Sequence, residues 1–265
     1  MHSRARGEVI AALLVVALFC AIVGPVWWRR WRDGNLTTAP ASTAPVSPSA
    51  SEAVVRAGVL RVSDGDTLQV KLAGRPTTVR LLNVDTPEIH KPGVAAECLG
   101  PEARQALTKL LPRGSQVELL YDGPRTDRYG RTLAAVRLSD GRLAGAELAR
   151  QGYTAAIVVR RADAWHAPVA KAQAEAMAAG RGLYDPAIGC TVAGRVTTRI
   201  DALKLPAERS HLLQEIPASQ ALRDELALPE SKQPLAQRER YPAAWRQAQV
   251  DRLDAALAQA RKAAA

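Results

Sequence analysis

A chain of 265 residues leaves room for one good-sized domain with appendages, and a net charge of +10 with a pI near 10.0 suits a polyanionic partner or an anionic membrane surface. The basic excess is spread along the whole length rather than held in one block, so composition permits nucleic acid without demanding it. Three cysteines, one of them in an apolar run, with no histidine pair nearby, exclude a structural zinc site, and a single phenylalanine implies a core of leucine, valine and alanine.

Residues 9–28, VIAALLVVALFCAIVGPVWW, run for twenty positions without a charge, the length that crosses a hydrocarbon core. Trp27, Trp28 and Trp31 stand where interfacial aromatics belong, and Arg29, Arg30 and Arg32 accompany them. Residues 1–32 therefore read as a single-pass transmembrane anchor; a cleaved secretory signal, releasing the rest, is the alternative. Arg4 and Arg6 nearly balance the arginines on the other side. The Pro/Ser/Thr/Ala-rich linker at 33–53 behaves as an extended spacer and tips the expectation toward a domain outside the cytoplasm.

From residue 54 to 138 the alternation is that of strands. VLRVSDGDTLQVKL alternates about an Asp-Gly turn, and TTVRLLNV, QVELLY and LAAVRL follow with turn residues between them. In RLLNVDTPEIH the apolar run meets Pro87, which has no ladder donor, so the strand is expected to end there. GPEARQALTKLL starts a helix at Pro101 and sets Ala103, Ala106, Leu107, Leu110 and Leu111 on one face. GRLAGAELARQG predicts a short helix closing at Gly152, and DAWHAPVAKAQAEAMAAGRG a second, with Pro168 near its start and Gly180 beyond its end. Short strands with helices around them predict an α+β fold: a five-stranded OB-type β-barrel with packed helices over residues 54–190. Residues 191–265 carry prolines at short intervals and read as a helical or partly disordered tail, with one better helix at 243–262 and no chemistry-bearing motif.

Three acids fall at ends of strands of that barrel. Asp66 in DGDT is by itself a hairpin-turn residue, and Asp85 and Glu88 in DTPE are by themselves a solvated strand exit. Clustered, the three would repel one another unless a cation or arginines compensated, and oxygen-only donors suit Ca²⁺ or Mg²⁺. Arg80 sits in an apolar strand, where a guanidinium is costly unless paired; it bridges structurally to Asp66 or Asp85, or it serves a ligand. Arg131, in RTDRYGRTLAAV, lies on a polar loop leading into a strand. Two guanidiniums beside carboxylates and a cation suit a phosphate diester. Cys98 and Cys190 read as one disulfide or as two unrelated thiols, with the compartment deciding between them.

DGDT, RLLNVDTPE and TDRYGR, in this order and at these spacings, with GPEA and LARQG in register, resemble the staphylococcal nuclease (thermonuclease) family over residues 59–184. The resemblance implies an OB-fold, Ca²⁺-dependent phosphodiesterase that cuts DNA and RNA to 3′-phosphate products with little sequence preference. It implies Asp66, Asp85 and the Thr86 carbonyl as Ca²⁺ ligands, Glu88 as general base, and Arg80 and Arg131 as catalytic holders of the phosphate. Asp64 would support the metal indirectly. Where the family has two tyrosines lining its nucleotide pocket, this chain has YTAAIVVRR, with Val158 and Arg160. Arg160 is then expected to contact nucleic acid together with Arg128 and Tyr129. The expected partners are DNA or RNA and, through the N-terminal helix, a membrane, with no small-molecule cofactor; the oligomeric state is left open, with a monomer favoured. The competing reading is a membrane-anchored, non-catalytic OB-fold that only binds nucleic acid; the retained acids and arginines favour the nuclease.

Overall fold

Apolar side chains at every second position close a barrel when each strand finds a partner on both edges, and residues 55–137 do this. In a computed structural model, which describes residues 54–89, 95–158, 164–233 and 235–265, the chain forms β1 (Val55–Asp64), β2 (Thr67–Leu72), β3 (Arg75–Leu81), β4 (Val84–Asp85), α1 (Gly100–Leu110), β5 (Gln116–Leu120) and β6 (Thr132–Arg137). The barrel order is β1-β2-β3-β6-β5, with β5 returning to β1; β3 and β6 run parallel and the other pairs antiparallel. Its interior is aliphatic, with Val59, Leu68, Val70, Val79, Leu119 and Val136 buried together. The expected anchor at 1–32, the linker at 33–53 and Arg160 lie outside the described residues. Among the described residues no helix is long and apolar enough to cross a membrane.

The expected strand of RLLNVDTPEIH stops earlier than Pro87. β3 ends at Leu81, and Asn83 takes a left-handed conformation, φ 60°. Asparagine tolerates that region better than most residues. Its amide nitrogen also donates to the Ile157 carbonyl at 2.9 Å. The turn lifts Val84 and Asp85 out of the barrel into a separate two-stranded pairing with β7 (Ala155–Ala156).

The helices α2 (Ala144–Arg150) and α3 (His166–Ala178) fall within the segments expected for them. In α1, Ala103, Ala106 and Leu107 are buried, with Leu111 just past its end; Leu110 is half-buried. Beyond them the chain forms α4 (Val192–Ala202), α5 (Arg209–Leu226), α6 (Leu235–Arg240) and α7 (Ala243–Ala264). These helices share a second core with the first half: Leu99, Ala176 and Tyr184 are buried with Val196, Leu222, Tyr241 and Leu253. Tyr241 stacks on Trp245 at 5.1 Å, and both rings meet Tyr184 edge-on. A Cys98–Cys190 disulfide, closing 92 residues of sequence, ties the turn before α1 to the chain just ahead of α4. Cross-linking a loop of that length restricts the unfolded chain. Replacing both cysteines by serine is expected to lower unfolding stability by about 2–4 kcal/mol in denaturant titrations.

Candidate active site

The pairing of β2 with β3 sets Thr67 opposite Arg80, so the acid preceding Thr67 lies beside that arginine. Asp64 pairs with Thr67, which leaves Gly65 and Asp66 as the two residues of the hairpin loop. The glycine is needed here for space: a Cβ on Gly65 would lie 2.6 Å from Thr86 Oγ1 and 2.9 Å from Ala103 Cβ. The DGDT loop is therefore pressed against the Asp85–Glu88 turn and against α1, and the two acidic segments become one site. Asp64 closes the loop locally, its carboxylate accepting from the Gly65 N–H at 2.8 Å.

Arg80 is the hub. Its Nη2 lies 3.0 Å from Asp66 Oδ2 and 3.6 Å from Asp85 Oδ1, and its side chain is 14% exposed. Its Nη1 donates to the Leu81 and Val84 carbonyls at 3.1 and 2.9 Å, the second of these supplied by the Asn83 turn. Thr67 Oγ1 donates to Asp66 Oδ1 at 2.8 Å and accepts from Arg131 Nη1 at 3.5 Å. Arg131 is braced from behind by Asp127, Nε to Oδ2 at 2.7 Å. Asp127 also accepts the Tyr129 and Arg131 N–H groups at 2.8 and 2.9 Å. Arg80, Asp127, Arg128, Tyr129, Arg131 and Leu133 line an open cleft. Tyr129 is 68% exposed, with the Arg128 and Arg131 guanidiniums 4.8 and 5.6 Å from its ring.

Glu88 is half-buried at the end of the same turn. Its backbone is clamped by Glu97: the Glu88 N–H donates to Glu97 Oε2 at 3.3 Å, and the Glu97 N–H donates to the Glu88 carbonyl at 2.8 Å. Sequence reasoning missed Glu97 and, with it, Arg240 at the end of α6. Arg240 Nη1 lies 2.7 Å from Glu97 Oε2, while its Nη2 lies 3.3 Å from Asp85 Oδ2 and donates to the Thr86 carbonyl at 3.0 Å. Arg240 is 155 residues from Asp85 and stands in no recognisable motif, so no local signal could have found it. The structure thus links Asp66, Arg80, Asp85, Thr86 and Arg131 through direct contacts, Thr67 and Arg240, keeps Glu88 three residues past Asp85 on the same turn, and puts Arg128 and Tyr129 on the adjoining cleft.

Burial pushes the Asp85 carboxyl above its ordinary value, outweighing the opposing pull of Arg240 and Arg80, and the neighbouring Asp66 and Glu97 add to the rise. Burial acts in the same sense on Asp127, but there the Arg131 N–H and guanidinium and the Tyr129 N–H prevail and hold the carboxyl below its ordinary value. Among the described residues no three His, Cys, Asp or Glu side chains gather as a metal-holding group. The expected set contains only two carboxylates, its third donor being a backbone carbonyl. Its chemistry fits a hard cation: Asp85 Oδ2 and the Thr86 oxygen converge on one nitrogen atom, and Asp66 Oδ2 and Asp85 Oδ1 on another.

A group with a depressed folded-state pKa contributes stability that is present above its unfolded value and lost as pH falls through the folded one. Asp127→Asn is accordingly expected to destabilise the protein near neutral pH. The difference from wild type should shrink as pH falls below the ordinary 3.8 of an aspartate, as read by urea unfolding across pH.

A family model described as staphylococcal nuclease homologue matches residues 78–185. Thermonuclease of Staphylococcus intermedius is 38% identical over 118 residues, which cover 44% of this chain and 69% of that protein. Endonuclease YncB of Bacillus subtilis (strain 168) is 40% identical over 93 residues, 35% of this chain and 43% of its own length. An uncharacterised Bacillus anthracis protein is 46% identical over 83 residues, 31% of this chain and 38% of its own. The chain thus spans about two thirds of the thermonuclease and less than half of the other two.

Proposed function

The chain belongs to the staphylococcal nuclease family of phosphodiester-hydrolysing nucleases, and we propose that its barrel site cleaves DNA or RNA with Ca²⁺ bound, leaving 3′-phosphate ends. The observation that carries this reading is the placement of two arginines, Arg80 and Arg131, on either side of Asp66 and Thr67, next to the Asp85–Glu88 turn. Asp66, Asp85 and the Thr86 carbonyl would hold the ion, which when bound supplies positive charge beside the scissile phosphate. Arg80 and Arg131 donate to the non-bridging phosphate oxygens, whose negative charge grows in the transition state. Glu88 takes a proton from the attacking water. The water oxygen bonds to phosphorus, the bond to the 5′ oxygen breaks, and that oxygen takes a proton from solvent water and leaves as the 5′-hydroxyl.

Tyr129, exposed and flanked by two guanidiniums, offers a stacking face for a base, and Arg128 a phosphate contact. Neither reads sequence, in keeping with a nuclease of little preference. The uncharged run at 9–28 and the Cys98–Cys190 disulfide support a membrane-anchored protein whose nuclease domain works outside the cytoplasm, where such bonds persist.

Digestion of plasmid DNA and of RNA by the full chain, with and without Ca²⁺, tests the reading. Excess chelator is expected to abolish cleavage. Glu88→Gln should lower kcat about 100-fold or more while leaving nucleic-acid binding in place. Arg80→Lys should do likewise, because an ammonium cannot reproduce the guanidinium fork. Equal hydrolysis by wild type and both variants would dismiss the mechanism.

A further inference from the structure

Arg240 enters the site from outside the motif-bearing barrel, on the last residue of a six-residue helix. Its side chain is 11% exposed, and the backbone around it is held from several directions. Gln173 Nε2 donates to the Glu239 carbonyl at 3.1 Å, the Tyr184 hydroxyl to the Arg240 carbonyl at 2.8 Å, and Arg246 Nη1 to the Tyr241 carbonyl at 2.6 Å. Three consecutive carbonyls are thus bonded by side chains from α3, from the short helix at Gly182–Tyr184 and from α7. The Tyr241–Trp245 stack lies directly behind them. This is a constructed position, unlike that of a surface arginine that happens to find an acid.

The acceptors it takes are informative. Its Nη2 lies against Asp85 Oδ2 and the Thr86 carbonyl, two of the three groups assigned above to the cation. Ca²⁺ needs such oxygens at about 2.3–2.6 Å, and a guanidinium nitrogen already sits between them at 3.0 and 3.3 Å. The two cannot share that point, and a dication next to a fixed guanidinium also meets like-charge repulsion in a partly buried place. Among the described residues the Arg240 Nε has no hydrogen-bond acceptor, and the contacts to Asp85, Thr86 and Glu97 run through its terminal nitrogens. Glu97, 2.7 Å from Nη1, can keep the guanidinium paired when Nη2 leaves Asp85.

We propose that Arg240 is a built-in counter-cation that competes with the divalent ion for Asp85 and the Thr86 carbonyl. The tail segment carrying it thereby sets the cation affinity of the site. The inference rests on the reading that Asp85 and Thr86 hold the ion, and the two separate by experiment. Ca²⁺ binding to the full chain is measured by isothermal titration calorimetry, without nucleic acid, for wild type, Arg240→Gln and Asp85→Asn. Arg240→Gln is expected to bind Ca²⁺ about tenfold more tightly or better, and Asp85→Asn to lose binding. A merely structural arginine would give the opposite result, since its loss would loosen the turn and weaken the site. Unchanged or weaker binding in Arg240→Gln, with binding still lost in Asp85→Asn, overturns the competition while the cation site stands. Wild-type affinity in Asp85→Asn overturns both. Should Arg240→Gln fail to fold, Tyr184→Phe decides, since it keeps Arg240 and removes only the hydroxyl that donates to the Arg240 carbonyl and accepts from Gln173 Nε2. A gain of about two- to threefold is then expected, and no gain overturns the proposal.

Discussion

A guanidinium at the rim of an apolar barrel has to be met on every side, and the geometry of this site follows from how Arg80 is met. Two carboxylates and two backbone carbonyls do so. The carbonyl of Val84 is in reach only because the chain turns at Asn83 instead of continuing the strand. Asp66 is in reach because the β2–β3 register places its neighbour Thr67 opposite Arg80, and Asp85 because the loop at Gly65 lets the two acidic turns touch. The hairpin register, the left-handed asparagine and the side-chain-free glycine thus all serve to bring partners to one buried charge.

From that hub the charges alternate outward. Arg131 reaches Asp66 through Thr67 and is braced by Asp127; Asp85 faces Arg80 on one side and Arg240 on the other; Arg240 ends on Glu97. Such alternation lets several acids lie close together in a partly buried place, although desolvation still holds the Asp85 carboxyl above its ordinary value. Arg80 and Arg131 also both line the open cleft beside Tyr129. Their planar donors can pass from carboxylate to phosphate with little loss of hydrogen bonding.

The helices after the nuclease-like part bear on the site through packing. Tyr184 shows the link: its ring belongs to the second core, its hydroxyl donates to the Arg240 carbonyl, and burial pushes its phenol above the ordinary value, which keeps it a donor. The disulfide anchors Cys98, the residue next to Glu97, so the partner of Arg240 is tied covalently to the start of the helices that deliver Arg240.

Much of this was legible beforehand, and the boundary has a physical cause. Period-two alternation and turn residues act over a few positions, so the barrel strands, α1 and the helix beginning at Ala243 could be read from local pattern. The motifs DGDT, RLLNVDTPE and TDRYGR singled out Asp66, Arg80, Asp85 and Arg131, and the structure brings these four side chains together through direct contacts and Thr67. Cysteine counting left a disulfide or two thiols, and only the approach of residues 92 apart decided it. The barrel strand ends at Leu81, where Asn83 turns left-handed and bonds to Ile157, 74 residues on; the pairing that resumes at Val84–Asp85 stops before Pro87, and the early turn has no local signal. Arg240 was illegible for the same reason in stronger form. Its partner is 155 residues away, and its placement depends on three aromatic rings and on side chains from α3, the short helix at Gly182–Tyr184 and α7, which no neighbouring residue in the sequence encodes. Local pattern in the sequence determined the barrel and brought out its acids and arginines; only tertiary packing brought Arg240 to Asp85 beside Arg80, because it lies 155 residues away in the chain.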